Sequence, residues 1–331
     1  MKGLTYQKEE AFLSPFAKKS IDTAGRIKEE TPCPMRTAFQ RDRDRILHSK
    51  SFRRLKNKTQ VFFSPEGDHY RTRLTHTLDV SQVARSIARS LDLNEDLAEA
   101  IALGHDLGHT PFGHAGERVL ASISPDGFEH NKQSLRVVDI LENDGAGLNL
   151  TYEVRDGILH HKKSGTPSTL EGVAVSLADR IAYLNHDIDD AIRAGKLKEK
   201  DLPQDAVKIL GATSRERINN MIFSIYRNSV GKNAVQMEEE YEEATDLLRA
   251  FMFEKVYITE ETTAEERKAE RMLSAMFTYY KNNLDKLPPF FRGLLETTPV
   301  HVVLCDYLSS MSDKYAVYEF ENLFVPKSWT L

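Results

Sequence analysis

The chain has 331 residues, 40% hydrophobic and 29% charged, an ordinary globular balance with ample length for a buried core. No apolar run approaches the ~20 residues a bilayer span needs, and MKGLTYQKEEAFLSPFAKKS at the N-terminus lacks the continuous apolar segment of a secretory signal. These features argue against a membrane protein and for a cytoplasmic one. Cys33 and Cys305 stand far apart and form no CxxC pair, which argues against a disulfide framework and a zinc–thiolate centre. Any metal must rely on histidine and carboxylate.

The net charge of −5 is unevenly spread. Between Arg36 and Arg73, eleven Lys and Arg face four acids, a local excess of 11 − 4 = +7. Such a patch attracts phosphate, on a nucleotide or on nucleic acid. Further along, KTQVFFS is at most a short strand. In LTHTLDVSQVARSIARSLDLN, Val80, Val83, Ala84, Ile87, Ala88 and Leu91 recur at helical spacing, and His76 shares their inward face. Asn94 reads as the N-cap of a helix that runs through LAEAIAL and ends near Gly104–Gly108. Another helix starts near His114, and a further one covers 131–143. The clearest is EGVAVSLADRIAYLNHDIDDAIRAG, with Val173, Leu177, Ile181, Leu184, Ile188 and Ala191 on one stripe and Gly195 closing it.

From about residue 200 the helices are amphipathic with long charged faces and carry no clustered ligands, so this part reads as packing and assembly. The expected fold is all-α. The expected divisions are an N-terminal segment (1–35), a core (36–195) and a C-terminal helical region (196–331) packed on that core.

ALGHDLGHTPFGHAGE, residues 102–117, holds three histidines, an aspartate and a glutamate. His105 and Asp106 are neighbours at a helix C-terminus, where both reach a metal held against that end. His76 adds a third ligand from the preceding helix. The fourth is expected from the helix around 173–191. Asp179 leads there because it opens a polar face of Asp179, Tyr183, His186 and Asp187 at i, i+4, i+7 and i+8, a pattern that borders a cavity. Two imidazoles and two carboxylates suit Mn, Fe, Zn, Ni or Co better than Ca and leave coordination positions for water and phosphate oxygens.

His76, His105-Asp106 and Asp179 in this order resemble the HD-domain metal-dependent phosphohydrolases. RLTHTLDVSQVARSIAR, ALGHDLGHTPFGHAGE, FEHN and LADRIAYLNHD resemble, within that superfamily, the deoxyguanosinetriphosphate triphosphohydrolase-like (dNTP triphosphohydrolase) family, from about Arg36 to Ala194. The resemblance implies an HD helical bundle with added C-terminal helices. It implies hydrolysis of a deoxynucleoside triphosphate, dGTP or a broader set, to deoxynucleoside and tripolyphosphate, an EC 3.1.5-type reaction. Water attacks the α-phosphorus and the 5′-oxygen leaves.

It also implies a divalent ion, manganese foremost, with Mg, Fe, Ni, Co or Zn as alternatives. His114 and Glu117 handle protons and orient the nucleophile, while His109 and His130 contact the α-phosphate region, either one a possible acid for the leaving oxygen. Arg73 and Arg180 reach phosphate oxygens. Tyr183 and Asp187 line the sugar pocket, with Gln60 at the 3′-OH and Val61 beside the sugar. The same family leads one to expect a homo-oligomer, a dNTP effector and contact with single-stranded DNA. ILHHKKSGTPS reads either as a basic flap over the site or as a solvated loop. His48, His69 and His301 are taken as ordinary surface or structural histidines, with His69 near enough to touch substrate. Two other functions compete: an HD phosphodiesterase or nucleotidase acting on another nucleotide, and a nucleic-acid-binding protein that retains the HD core.

Overall fold

A computed structural model describes residues 2–60, 71–257 and 260–327. Sixteen α-helices and no strand occur among them; the all-α expectation holds. The segment read as a possible strand contributes one antiparallel bridge, Thr59 to Thr72. Val61 and His69 lie outside the described residues. No helix among the described residues is long and apolar enough to cross a membrane.

After α1 (Lys2–Phe12), helices α2 (Ala38–His48) and α3 (Lys50–Arg54) lead to α4 (Arg73–Ser90) and α5 (Glu95–Gly104). Thr37, Thr72 and Asn94 cap α2, α4 and α5 by accepting backbone N–H bonds from Gln40, Thr75 and Leu97. Next come α6 (Gly113–Ile123), α7 (His130–Arg136), which runs into a π turn over Val137–Leu141, and α8 (Tyr152–His160). The 24-residue α9 (Leu170–Arg193) follows and ends where Gly195 takes φ +69°. Helix α4 packs against α5 and α9, with α2 on α5 and α8 on α5 and α9. Phe39, Ile46, Ile87, Ile101, Ile158 and Ile181, all fully buried, fill the space between them.

This core continues without a break into α10 (Gln204–Leu210), α11 (Ser214–Ser229) and α12 (Glu239–Met252) through Leu210, Met221, Ile225 and Leu248. A second core joins α6 to α13 (Glu260–Asn282), α14 (Pro289–Leu294), α15 (Val300–Ser309) and α16 (Asp313–Phe324) around Leu120, Leu273, Met276, Tyr280 and Leu308. Two polar anchors tie it to the first half. Asp313 accepts from the Thr59 amide (2.9 Å), the Thr59 hydroxyl and the Phe112 amide (3.0 Å). It thereby holds Phe112 at φ +62°, a left-handed conformation rare for such a residue. Buried Lys58 donates to the carbonyls of His109 and Ser309.

The cations at the start of the basic segment are matched by carboxylates, most of them from outside it. Arg43 pairs with Asp96 and Glu99, Arg45 and Arg41 with Glu30, and Arg36 with Asp44. Its outward field is therefore smaller than the +7 excess implies.

Close approach of α7 to the turn after α5 depends on Gly108. Its amide donates to Ser134 Oγ (2.9 Å), which donates to the His105 carbonyl (2.7 Å). A Cβ at residue 108 would lie 2.1 Å from the Ser134 backbone nitrogen. Gly108→Ala is therefore expected to destabilise the protein at or beyond the upper end of the about 1–3 kcal/mol typical of overpacking. Gly293→Ala, where nothing lies within 4 Å of the added carbon, should be neutral or slightly stabilising. Urea midpoints at unchanged slope measure both; equal midpoints for the two variants would contradict this account.

Candidate functional site

Three elements bring the expected ligand set together. Arg73 and His76 occupy the first turn of α4, His105 and Asp106 the end of α5, and Asp179 the middle of α9. His105 is fully buried. Its Nδ1–H donates to the Ala102 carbonyl at 2.6 Å, which leaves Nε2 as a bare lone pair. That Nε2 has no hydrogen-bond partner among the described residues and lies 3.6 Å from Asp106 Oδ2 and 3.7 Å from Asp179 Oδ1. His76 Nε2 lies 3.1 Å from the same Asp179 oxygen. Metal bonds of about 2.1 Å place neighbouring donors about 3 Å apart, so this spacing fits a single divalent ion. The orphaned imidazole nitrogen facing two carboxylates is what such an ion requires.

Burial would raise the Asp106 carboxyl, but His105 and the Arg73 guanidinium, whose Nη1 donates to Oδ2 at 2.6 Å, hold it well below the usual range. Asp179 is likewise lowered to about 2: the His76 hydrogen bond and His105 outweigh its desolvation. Both side chains are therefore held as carboxylates.

A second histidine cluster adjoins the first. Glu117, on α6, accepts from the His130 backbone amide (3.0 Å) and from His130 Nδ1 (2.9 Å), and its other oxygen lies 3.4 Å from His114 Nδ1. Against burial, these contacts hold Glu117 well below the usual carboxylate range. The His109 and His130 rings stack with centroids 4.4 Å apart and planes 17° apart. Burial, then the nearby Arg73 and His130, push the His109 imidazole well down, so it is neutral. His114 reaches solvent, with its side chain 70% exposed.

The residues expected at phosphate and sugar are placed as follows. Arg73 Nη2 also donates to the Gln60 carbonyl (3.3 Å), and Gln60 Oε1 is buried without a partner among the described residues. Arg180, buried on α9, is held by both oxygens of Glu242 on α12. Burial raises Asp187 to about 7 and Tyr183 to about 12. Asp187 accepts from the Tyr257 hydroxyl. His186 turns to Asp79 (3.1 Å); burial, then Arg71, lower it to about 2.

Two residues at the site, Glu242 and Tyr257, escaped the sequence reading, and His161 stood in a segment read either as a flap or as a solvated loop. His161, 2% exposed, faces His130 and His105; the doubled histidine at a helix end was its only signal. The segment around it is therefore split: His160 binds Asp156 on the outer side, while His161 turns inward. Glu242 and Tyr257 come from the half read as lacking chemistry. They sit on an acidic helix face and just past its end, and no local pattern marks them.

Two family models match this chain, the HD domain over residues 73–184 and the phosphohydrolase-associated domain over residues 235–322. A deoxyguanosinetriphosphate triphosphohydrolase-like protein of Caldanaerobacter subterraneus is 56% identical over 329 residues, covering 99% of this chain and 97% of its own. One from Clostridium perfringens is 49% identical over 95% of both chains, and one from Ralstonia pickettii 39% over 94% of both. A crystal structure of a phosphohydrolase from Bacteroides thetaiotaomicron shares the fold, with a TM-score of 0.54 at 18% identity over 85% of this chain and 68% of that one. With a ligand set on the expected helices and relatives that align end to end, the chain belongs to the deoxyguanosinetriphosphate triphosphohydrolase-like family of HD-domain phosphohydrolases.

Proposed function

We propose that this hydrolase cleaves deoxynucleoside triphosphates, dGTP or a broader set, to deoxynucleoside and tripolyphosphate by water attack at the α-phosphorus. The observation that carries the reading is the orphaned His105 Nε2, set among His76, Asp106 and Asp179 and adjoining a Glu117-centred histidine cluster. His76, His105, Asp106 and Asp179 hold the divalent ion, manganese foremost. When bound, that ion supplies Lewis acidity toward the α-phosphate and toward water.

Every other task falls to the chain's own groups. His114, tethered to Glu117 yet open to solvent, exchanges protons with the attacking water. His109, kept neutral, donates a hydrogen bond toward the α-phosphate region instead of carrying charge. Arg73 lies behind Asp106 and directs its remaining donors at phosphate oxygens. Asp187 and Tyr183 accept the sugar, with Gln60 at its 3′-OH. A Tyr183 ring packed under C2′ leaves no room for a 2′-hydroxyl, which selects deoxyribose.

Chromatography of products from each dNTP, incubated with manganese separately and as a mixture, tests the reaction. Deoxynucleoside with tripolyphosphate is expected; pyrophosphate or inorganic phosphate would instead favour an HD nucleotidase or phosphodiesterase. His105→Ala and Asp106→Ala should each lower turnover on the order of 10³-fold, since metal assistance is worth several kcal/mol. Chelation should abolish activity, and added manganese should restore it.

Glu242 competes with substrate for Arg180. A triphosphate must displace its carboxylate from a buried guanidinium. Glu242→Gln should therefore lower KM about fivefold, corresponding to roughly 1 kcal/mol for a partly exposed pair, with kcat little changed. An unchanged or raised KM would remove Arg180 from phosphate binding.

A further inference from the structure

We infer that Asp313, the first residue of α16, is a positioning residue for the reaction, its two carboxylate oxygens setting the span between Gln60 and His114. The inference rests on the reading above, in which Gln60 meets the sugar 3′-OH and His114 the attacking water.

Each oxygen of Asp313 takes one segment. Oδ2 accepts from the Thr59 amide at 2.9 Å and from the Thr59 hydroxyl, one residue before Gln60. Oδ1 accepts from the Phe112 amide at 3.0 Å, two residues before His114. The two segments also touch. A Cβ at Gly113 would lie 3.3 Å from the Gln60 carbonyl and 3.6 Å from Arg73 Nη2. Phe112 at φ +62° and Gly113 at φ +54° are successive left-handed residues. A phenylalanine leaves that region unless its surroundings hold it there. The bond to Asp313 Oδ1 does so, and α6, with His114 in its first turn, starts from that turn.

Stability alone does not call for a carboxylate here. The second core, through Leu120, Leu273 and Leu308, already binds α6 to the C-terminal helices. Burying a charged group costs free energy, and an apolar contact of the same shape holds two elements together about as well. What a buried carboxylate adds is direction and distance, because each hydrogen bond fixes its donor within a few tenths of an ångström. Asp313 is 4% exposed and spends both oxygens on the two segments.

The same hairpin grips the other parts of the site. Lys58 Nζ joins the His109 carbonyl to the Ser309 carbonyl at the end of α15. Asp306 on α15 accepts from Gln133 Nε2 at 2.8 Å and from Arg136 Nε at 2.7 Å, both on the helix that His130 starts. Asp313 is the member that spans the substrate. The 3′-OH and the α-phosphorus stand at opposite ends of the deoxyribose 5′-phosphate unit. Anchoring the first fixes where the second falls, so the group serving the attacking water must stand at a matching distance.

Steady-state kinetics of the full chain with manganese test this, on the dNTP cleaved fastest and on its 2′,3′-dideoxy analogue. Asp313→Ala releases both segments. It should lower kcat on the order of 10²-fold, the effect of misplacing a reacting group by about 1 Å. It should also lower the preference for the 3′-hydroxyl substrate, as a ratio of kcat/KM, about tenfold, the worth of one hydrogen bond. Manganese content by mass spectrometry should match the wild type, since Asp313 bonds to segments that carry none of His76, His105, Asp106 and Asp179. Thr59→Val removes only the hydroxyl donor. It should reduce the 3′-hydroxyl preference by less and leave kcat near the wild-type value, and it decides the matter alone if circular dichroism shows Asp313→Ala unfolded. A fall in kcat with the preference unchanged in both variants is the mark of a smaller folded fraction and overturns the inference, as do two variants that match the wild type. A wild type that cleaves no dNTP overturns the proposed reaction and this role together.

Discussion

The Asp106 carboxylate is the junction on which the rest of the structure converges. It is buried, and a lone ionised carboxylate in such a place would be strongly disfavoured. It stays charged because Arg73 donates to it at 2.6 Å and His105 lies beside it. Each supporting group is itself held by another element. Arg73 starts α4 behind the Thr72 cap, and its second arm reaches the Gln60 carbonyl. The start of α4, the end of α5 and the segment before α4 are therefore one electrostatic unit. Shifting any of them exposes an unpaired buried charge, which costs far more than losing a surface contact.

The C-terminal helices belong to this unit more than their composition implies. Asp313 braces Thr59, next to Gln60, and fixes Phe112 in its unusual backbone conformation just ahead of Gly113 and His114. Lys58 links the His109 carbonyl to the end of α15. From the other direction, Glu242 and Tyr257 close over Arg180 and Asp187. The segments that line the candidate site are thus held by two sets of contacts from later in the chain. Glu242 occupies the Arg180 guanidinium, so the site balances this charge internally.

How much of this was legible in the sequence follows from the range of each signal. The stripe from Val80 to Leu91, the Asn94 cap and Gly195 are local, and the helices they mark appear where periodicity places them. His76, His105, Asp106 and Asp179 were legible because each sits at a helix end or on a helix face whose direction the pattern fixes. Glu242, Tyr257 and Asp313 were not, because each acts on a residue at least 62 positions away. Nothing in an acidic amphipathic helix such as EEEYEE distinguishes the one glutamate that turns inward. The excess of cations after Arg36 misled in the opposite sense: its partners Glu30, Asp96 and Glu99 lie outside the window that defines it.

His161 shows how a local rule and a long-range one combine. Helix ends leave carbonyls without intrahelical partners. At the end of α5 His105 donates from Nδ1 to the carbonyl three residues earlier, and at the end of α8 His161 does the same. Each bond caps a helix and, by fixing the proton on Nδ1, leaves Nε2 as a lone pair. The two rings meet edge to face, with centroids 5.0 Å apart, because α8 packs against α5 through Ile158 and Ile101 and brings the two ends together. Gly157 and Gly104 allow that approach: a Cβ at either would lie 2.5 Å from the isoleucine opposite. A packing constraint between two helices thus sets the spacing of two imidazole rings at the centre of the candidate site.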